Sequence, residues 1–297
     1  MKKFFLGIDG GGTKTALCLI DENMNIISQA VSGPSSYDTV TLDIIKKHIC
    51  EALSELKYEG EIVSVFAGLG GVASESDSQI IKEMLSQINE FKDSMIEVEN
   101  DVANAYYACL GEEDGIVCIM GTGAVAYGVK NGISHRCSGY GYQEGDPGSS
   151  YDLGRHALKY YAKVVDKRLP KTSFSDAIGK AINAYTFGDL AHYFVKATRT
   201  EIASLAKIVT ANSDEANAKK IIDNSVDSMI EIINTVYNVL EFDEAKISIV
   251  GSLGNAKTYY RDSLFEKLNP NIKYVEPMYE AYLGSSIKAL INYNRSV

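Results

Sequence analysis

The chain opens with an apolar run at residues 4–8 that has the length of one β-strand, and Asp9 and three glycines at 10–12 follow it. Apolar residues resume at 16–20 with strand-like spacing. Two short apolar runs that flank a glycine turn predict a β-hairpin. Glycines have no Cβ, so the N–H groups of such a turn can approach an anion closely. An ordinary tight hairpin would show the same local pattern.

A second stretch, residues 115–129, repeats this pattern of a strand, a Gly/Thr turn at 121–123 and another strand. Each copy continues through a polar reversal, at 21–23 in the first and at 131–132 in the second, into a third strand. The second reversal is Asn-Gly, a strong hairpin signal. Two glycine turns in two matching units predict one ligand held between two lobes.

The rest of the chain alternates between helical and strand patterns. The first half predicts three strands followed by helix, strand, helix, strand and helix, with the later elements at 40–57, 61–67, 76–90, 94–99 and 100–110. In the second half, the three-strand unit leads into a glycine-rich loop at 137–150 and then further elements. These are helical patterns at 149–168, 172–184, 197–211 and 213–241, a strand at 246–250, a helix, a strand at 272–275 and a last helix from 279. We therefore predict a first lobe at 1–112, joined by the helix at about 280–297, and a second lobe at 113–279.

Composition narrows the functional class. A chain of 297 residues can bury two cores, and 45% hydrophobic with 23% charged residues is typical of a soluble globular protein. A net charge of −10 argues against a nucleic-acid partner, which needs clustered cations. The apolar runs are too short for a membrane span, and the one at the start is too short for a signal peptide. Five scattered cysteines indicate a reducing compartment. We expect a cytoplasmic protein with no membrane partner.

Four glycine-bearing turns, each after a strand, are candidates for one ligand site. They lie at 10–13, 68–71, 121–123 and 251–254, and ligands of open α/β sheets bind beyond the carboxyl ends of the strands. Thr13 and Lys14 add a hydroxyl and a cation to the first turn. Asp9 would repel a phosphate directly, but it could hold water on a magnesium ion that bridges phosphates.

Candidate polar groups follow other strands. Asp101 is the best general-base candidate because the start of a helix keeps a carboxylate ionised, although Asp is also a favoured helix N-cap. The neighbouring Asn100 offers an amide for sugar hydroxyls. Asp146 is either a turn residue or a hydroxyl acceptor. His135 and Cys137 could suggest zinc, but the sequence has no companion pair at ligand spacing nearby.

An alternative is an NAD-dependent oxidoreductase. Residues 68–73 fit the pattern Gly-x-Gly-x-x-Ala after a strand, and Glu97 and Glu99 end the next strand. These glutamates lie further downstream than the usual 20 or so residues. Three strands also precede the glycines, whereas the dinucleotide fingerprint normally belongs to the first strand of its domain.

The ordered set of motifs resembles the N-acetylglucosamine and glucosamine kinases of the sugar kinase, heat-shock ATPase and actin superfamily. They form a branch shared with benzoyl-CoA reductase activator ATPases. The motifs lie at 6–15, 99–101, 121–123, 145–149 and 250–252, and the likeness extends over the whole chain. It implies an α/β fold of two ribonuclease-H-like lobes, as in actin-like ATPases, with a nucleotide cleft between them. It also implies ATP and Mg²⁺ as cofactors, an amino-sugar substrate and a homodimer.

The resemblance also implies roles for individual residues. Asp101 would deprotonate the sugar 6-hydroxyl, and Asp9 would hold magnesium through water. The nucleotide would be bound by Gly10, Gly11, Gly12, Thr13, Lys14, Gly121, Thr122, Gly123, Gly251, Ser252 and Gly254. The sugar would be bound by Ser36, Asn100, Asp101, Tyr140, Gly141 and Asp146.

Several positions depart from the family pattern. Ser35 and Ser36 replace Ser/Thr-Asn, Tyr140 replaces a tryptophan, Pro147 replaces a glutamate and Glu280 replaces a glycine. The sugar therefore stays open among N-acetylglucosamine, glucosamine and N-acetylmuramic acid. A further alternative is an ATP-driven reductase or dehydratase activator with an iron-sulfur cluster, but Cys109 and Cys137 do not match the placement that such a cluster needs.

Overall fold

The structure is a computed structural model that describes residues 1–142 and 144–296. The chain packs as two compact units, the first formed by residues 1–113 and 276–297 and the second by residues 114–275. The strands are β1 (Lys3–Gly10), β2 (Thr15–Ile20), β3 (Ile26–Ser32), β4 (Glu61–Leu69), β5 (Met95–Asn100), β6 (Gly115–Met120), β7 (Ala124–Lys130), β8 (Ile133–Ser138), β9 (Ala245–Val250) and β10 (Ile272–Tyr274).

The α-helices of the described residues lie between and after these strands, and six of them follow one another between β8 and β9. They are α1 (Leu42–Glu55), α2 (Glu75–Leu85), α3 (Val102–Leu110), α4 (Ser150–Val165), α5 (Ser173–Ile182), α6 (Phe187–Lys196), α7 (Arg199–Ser204), α8 (Ala206–Ala211), α9 (Ala216–Val239), α10 (Tyr259–Lys267) and α11 (Gly284–Ser296). None of the helices in the described ranges is both long and apolar enough to cross a membrane.

The two units share one sheet topology. In the first unit the strand order is β3-β2-β1-β4-β5, and in the second it is β8-β7-β6-β9-β10. Each sheet begins with three antiparallel strands, and its last two strands run parallel to the first. The duplicated hairpin predicted from residues 4–20 and 115–129 is therefore confirmed, as is the mixed α/β fold.

Helix α11 completes the first unit by packing on β1 and α3. A Cβ on Gly7 would lie 2.2 Å from the backbone nitrogen of Ser286, so only glycine allows this close approach. The hydroxyl of Ser286 donates to the carbonyl of Cys18 at 2.7 Å. In the second unit, the apolar stripe of α9 packs on the sheet, with Ile222, Val226, Met229, Ile233 and Val236 fully buried.

Three parts of the chain differ from the prediction. The helix predicted at 197–211 is two short helices, α7 and α8. Helix α6 was not predicted, although Phe187, Leu190 and Phe194 have helical spacing; of these three only Leu190 is buried, so α6 adds little to the core. The last helix begins at Gly284, after a short 3₁₀ turn at Ala281–Leu283, and not at 279. Most other predicted boundaries lie within a few residues of the observed ones.

Candidate active site

The parallel strands of the first unit bring three motifs to one edge of the sheet. Gly10 on β1 is in register with Leu69 on β4, which is in register with Asn100 on β5. Because parallel strands end at the same edge, the first glycine turn, the turn after β4 and the start of α3 are neighbours. A hydrogen bond from the N–H of Gly70 to the carbonyl of Gly10, at 2.7 Å, joins the first two directly.

Asp9 is held by a residue that the sequence analysis missed. The side-chain amide of Asn104, on α3, donates to Oδ1 of Asp9 at 2.6 Å and to the carbonyl of Gly68 at 3.0 Å. Burial raises the pKa of the Asp9 carboxyl, while the Asn104 hydrogen bond and the charge of Lys14 oppose this rise. Asn104 is itself buried, and its Oδ1 has no hydrogen-bond partner among the described residues.

Hydrogen bonds to neighbouring residues support the first glycine turn, and there is open space at Gly12. Thr15 donates from its hydroxyl to Oγ of Ser35 at 2.7 Å, and the backbone N–H groups of Ser35 and Ser36 donate to the carbonyl of Gly11. A Cβ on Gly12 would meet nothing within 4 Å in the described residues. The packing of the described chain therefore does not demand a glycine at 12, whereas close approach of an anion would. Thr13 and Lys14 are also exposed.

Asp101 lies beside Gly70, in the turn after β4. Within the described residues its side chain makes no capping hydrogen bond to α3, and its backbone is helical rather than extended. A Cβ on Gly70 would lie 2.6 Å from Oγ of Ser36 and 3.4 Å from Oδ2 of Asp101. The missing side chain at Gly70 thus leaves room for these two groups side by side. The hydroxyl of Ser36 donates to Asp38 at 2.6 Å.

Asn100 has a clear structural role. Its amide nitrogen donates to the carbonyl of Val72 at 2.8 Å, and its Oδ1 accepts from the N–H of Val102 at 3.2 Å. Asn100, rather than Asp101, therefore satisfies a free N–H in the first turn of α3. The predicted contact between Asn100 and a sugar stays a prediction.

In the second unit, three motifs meet around the second glycine turn. The N–H groups of Leu253 and Gly254 both donate to the carbonyl of Met120, at 3.0 and 3.1 Å. The N–H of Ser150, at the start of α4, donates to the carbonyl of Gly121 at 2.9 Å. A Cβ on Gly121 would meet nothing within 4 Å in the described part of the chain, as at Gly12. The turns 121–123 and 251–254 and the glycine-rich loop thus form one cluster.

The glycine-rich loop places Asp146 in an ion pair. Asp146 is buried, and Nη2 of Arg199 lies 2.8 Å from its Oδ2. Burial raises the pKa of the Asp146 carboxyl, and the charge and hydrogen bond of Arg199 oppose this. Tyr140 is largely exposed, and Gly141 has a positive φ of 102° that favours glycine. Gln143, in the same loop, lies outside the described residues.

A buried carboxylate anchors the end of this loop. Oδ2 of Asp152 accepts from the N–H of Gly148 at 3.2 Å and from the hydroxyl of Ser225 at 2.9 Å. Nδ1 of His156 lies 3.0 Å from Oδ1 of Asp152, and this pairing raises the pKa of His156. The hydroxyl of Tyr260 donates to the carbonyl of Gly148 at 2.7 Å. These contacts fix the loop to α9 and α10.

A cavity of about 340 Å³ in the second unit adjoins the cluster. It is of the size that binds small ligands. The turns 121–123 and 251–254 contribute Thr122, Ser252 and Leu253 to its wall, and α7 and α8 supply much of the remainder, including the cation of Lys207. Neither helix was predicted from the sequence to contact a ligand.

The glycines of the oxidoreductase alternative have another explanation. A Cβ on Gly68 would lie 2.0 Å from Oδ1 of Asn104, so this glycine makes room for a side chain of the same unit. Nζ of Lys288, which is buried, lies 3.2 Å from Glu97 and 3.7 Å from Glu99. The acidic residues that would bind a ribose are therefore paired with a lysine, and the structure does not favour a dinucleotide site here.

Two kinases are similar in sequence to this chain over nearly its whole length. An N-acetylmuramic acid/N-acetylglucosamine kinase of Clostridium acetobutylicum is 29% identical, with 97% of this chain and 98% of the relative covered. An N-acetyl-D-glucosamine kinase of Dictyostelium discoideum is 27% identical over the same shares.

The fold is also that of a solved structure. A candidate N-acetylglucosamine kinase from Chromobacterium violaceum superposes with a TM-score of 0.73 at 20% identity, covering 97% of this chain and 98% of that one. The family model described as BadF/BadG/BcrA/BcrD ATPase matches residues 6–289. With the glycine turns and the duplicated sheet already described, this match shows that the chain belongs to the BadF/BadG/BcrA/BcrD ATPase family.

Proposed function

We propose that this chain is an ATP-dependent kinase that phosphorylates the 6-hydroxyl of an amino sugar, with N-acetylglucosamine as the first candidate. The observation that carries the proposal is the meeting of the first glycine turn, Ser36 and Asp101 at one edge of the first sheet. Asp101, whose carboxylate does not cap α3, lies beside Gly70, and the N–H of Gly70 donates to the carbonyl of Gly10 in the first glycine turn. The names of the two curated relatives support an amino sugar as the acceptor.

The reaction we propose is a direct transfer. The 6-hydroxyl oxygen of the sugar forms a bond to the γ-phosphorus of ATP, and the bond from that phosphorus to the β,γ-bridging oxygen breaks, so that ADP leaves. Asp101 accepts the hydroxyl proton. Such a base contributes about 10²- to 10⁴-fold to the rate, and the remainder comes from positioning and charge neutralisation.

The residues present fit ATP and Mg²⁺. Glycines 12 and 121 leave open space where a Cβ would be, as phosphate-binding turns require. The cavity beside Ser252 and Leu253 is suited to the adenosine. Asp9, exposed in part and held by Asn104, would hold magnesium through water, and magnesium would neutralise phosphate charge. Gly10, Gly11, Thr13, Lys14, Thr122, Gly123, Gly251 and Gly254 complete the proposed nucleotide contacts.

The amino sugar would be bound by Ser36, Asn100 and Asp101 in the first unit and by Tyr140, Gly141 and Asp146 in the second. Burial raises the pKa of Asp146 and the charge of Arg199 opposes this rise; as a carboxylate, Asp146 would accept hydrogen bonds from sugar hydroxyls. Tyr140 is exposed and offers an aromatic face to a sugar ring. An assay of ADP release with N-acetylglucosamine, glucosamine, N-acetylmuramic acid, N-acetylmannosamine and glucose would identify the acceptor.

Asp101→Asn tests the central role. We expect this variant to bind ATP with unchanged affinity and to lose at least about 10²-fold of the sugar phosphorylation rate. Asp38→Asn is the matched control, because Asp38 accepts from Ser36 nearby but has no proposed part in proton transfer. Wild-type turnover by Asp101→Asn would refute the base assignment. Absence of ADP release by the wild type with every sugar of the panel would refute the kinase proposal.

The ATP-driven activator is the less favoured alternative. An iron-sulfur cluster shared with a partner needs accessible cysteines, whereas Cys109 on α3 and Cys118 on β6 are buried. None of the five cysteines, all of which lie in the described residues, forms a disulfide. This supports a reducing, cytoplasmic compartment as part of our proposal. Purification under anaerobic conditions tests the alternative, since a brown, iron-containing protein would favour an activator over a kinase.

A homodimer also belongs to the proposal. The segment around α6 exposes Tyr185, Phe187, Phe194 and Val195, and such an apolar surface supports association with a second copy. Sedimentation equilibrium of the full chain tests this, and a monomer at all concentrations would contradict it.

A further inference from the structure

Arg199 joins the second glycine turn to the glycine-rich loop. Its Nη2 donates to Oδ2 of Asp146 at 2.8 Å, and the same nitrogen lies 2.7 Å from where a Cβ on Gly123 would be. Its guanidinium also lies over the ring of Tyr142, with 5.8 Å between Cζ and the ring centroid. Arg199 thus sits against the backbone of the proposed phosphate turn.

The geometry leaves most of this guanidinium available. Arginine has five N–H donors in a planar fork, and in the described residues Asp146 is the hydrogen-bond acceptor found for Arg199. The side chain is 40% exposed, although it pairs with a buried carboxylate. A planar fork beside an N–H-rich turn is well suited to a phosphoryl group, because paired N–H groups match its oxygens.

Gly123 is part of the same arrangement. Any larger residue at 123 would put its Cβ against the arginine, so the glycine lets the guanidinium approach the turn. Gly123 does not have a positive φ, so its backbone conformation does not require glycine. The contact with Arg199 explains why a glycine is found there.

We propose that Arg199 binds the terminal phosphoryl group of the nucleotide and lowers the barrier to its transfer. The inference rests on the proposed kinase function and adds a residue to it. Arg199 would supply charge to the phosphoryl oxygens as charge develops on them. Arginines in this role accelerate phosphoryl transfer by about 10³- to 10⁵-fold in other enzymes.

A simpler role for Arg199 would be to hold Asp146 without contacting a phosphoryl group. Measurements of nucleotide binding distinguish the two roles. We would measure by calorimetry, with Mg²⁺, the affinities for ADP and for the β,γ-imido analogue of ATP. In Arg199→Gln we expect the preference for the analogue over ADP to fall about tenfold or more, with the ADP affinity little changed. Arg199→Lys, which keeps the charge but not the fork, should retain part of the preference.

Two other variants complete the test. Asp146→Asn should keep the preference for the analogue, because it removes the partner of Arg199 and not the arginine. Arg168→Gln, which removes an arginine from an exposed ion pair with Asp166, should match the wild type. A melting curve for each variant checks that it is folded.

The outcomes separate the two proposals. An unchanged preference in Arg199→Gln, or an equal loss for both nucleotides, would overturn the role of Arg199, as would an Asp146→Asn variant that copies Arg199→Gln. None of these results depends on sugar turnover. Failure of the wild type to bind either nucleotide would instead overturn the kinase function itself.

Discussion

Replacing Asn104 with alanine should make the ionisation of Asp9 harder, because the amide of Asn104 donates to Oδ1 of Asp9 at 2.6 Å. Burial already raises the pKa of Asp9, and this hydrogen bond opposes the rise. Hydrogen bonds to charged groups contribute about 1.5–3 kcal/mol. Since one pKa unit corresponds to about 1.36 kcal/mol, we expect the pKa of Asp9 to rise by about 1–2 units in Asn104→Ala.

The assay is the pH dependence of kcat/KM for ATP at saturating sugar. If magnesium needs ionised Asp9, the acid limb of the profile should move to higher pH by about the same 1–2 units. Asn104→Asp should move it further, because a second carboxylate beside Asp9 disfavours the charged form. Both variants should respond to added magnesium more than the wild type does.

The control is Asn292→Ala. Asn292 is another buried amide of the first unit, on α11, and its Nδ2 has no hydrogen-bond partner among the described residues. Its loss should leave the acid limb in place even if it lowers the melting temperature. An acid limb in Asn104→Ala that coincides with that of the wild type would refute the reasoning, because Asp9 would then not govern the profile.

Two further predictions concern stability. Because the folded pKa of Asp9 is raised, its ionisation costs stability once the pH exceeds the ordinary Asp value, near 3.9. Asp9→Asn should therefore have a higher melting temperature than the wild type at pH 7, and this difference should disappear near pH 4. The variant should also lose magnesium-dependent activity. Equal melting temperatures at pH 7 would contradict this prediction. Lys288→Met should lower the free energy of unfolding by about 1–3 kcal/mol, since partly buried Glu97 and Glu99 lose their cation. Urea titration measures this free energy. A Lys288→Met, Glu97→Gln double variant should recover part of the loss. A wild-type urea midpoint for Lys288→Met would count against a stabilising pairing of Lys288 with the two glutamates.

Local sequence patterns were enough to predict much of the fold. Strand-length apolar runs beside glycines predicted both hairpins, and the repeat of the pattern at 4–20 and 115–129 predicted two matching three-strand units. The glycine turns could be predicted because glycine at a strand end has a local cause, the need for backbone to approach backbone or ligand. Helix α6 was missed although Phe187, Leu190 and Phe194 have the spacing of one helix face, and most of that face is exposed rather than packed in the core.

The partners of the site residues could not be read from the chain. Whether Asp101 caps α3 depends on dihedral angles, and the structure gives that role to Asn100 instead. Asn104 reaches Asp9 from 95 residues away because Gly68 leaves space for it, and a pattern of residue types does not specify such a contact.

The sequence alone determined most of the order of elements, the duplicated three-strand unit and the positions of the glycine turns, because these follow from short-range periodicity and backbone freedom. Tertiary structure alone decided which side chains set the charge of the site. Arg199 meets Asp146 across 53 residues, and Lys288 lies against Glu97 and Glu99 from the other end of the chain. Burial and pairing shift a carboxylate's ionisation, and both depend on how helices pack onto the sheet rather than on neighbours in sequence.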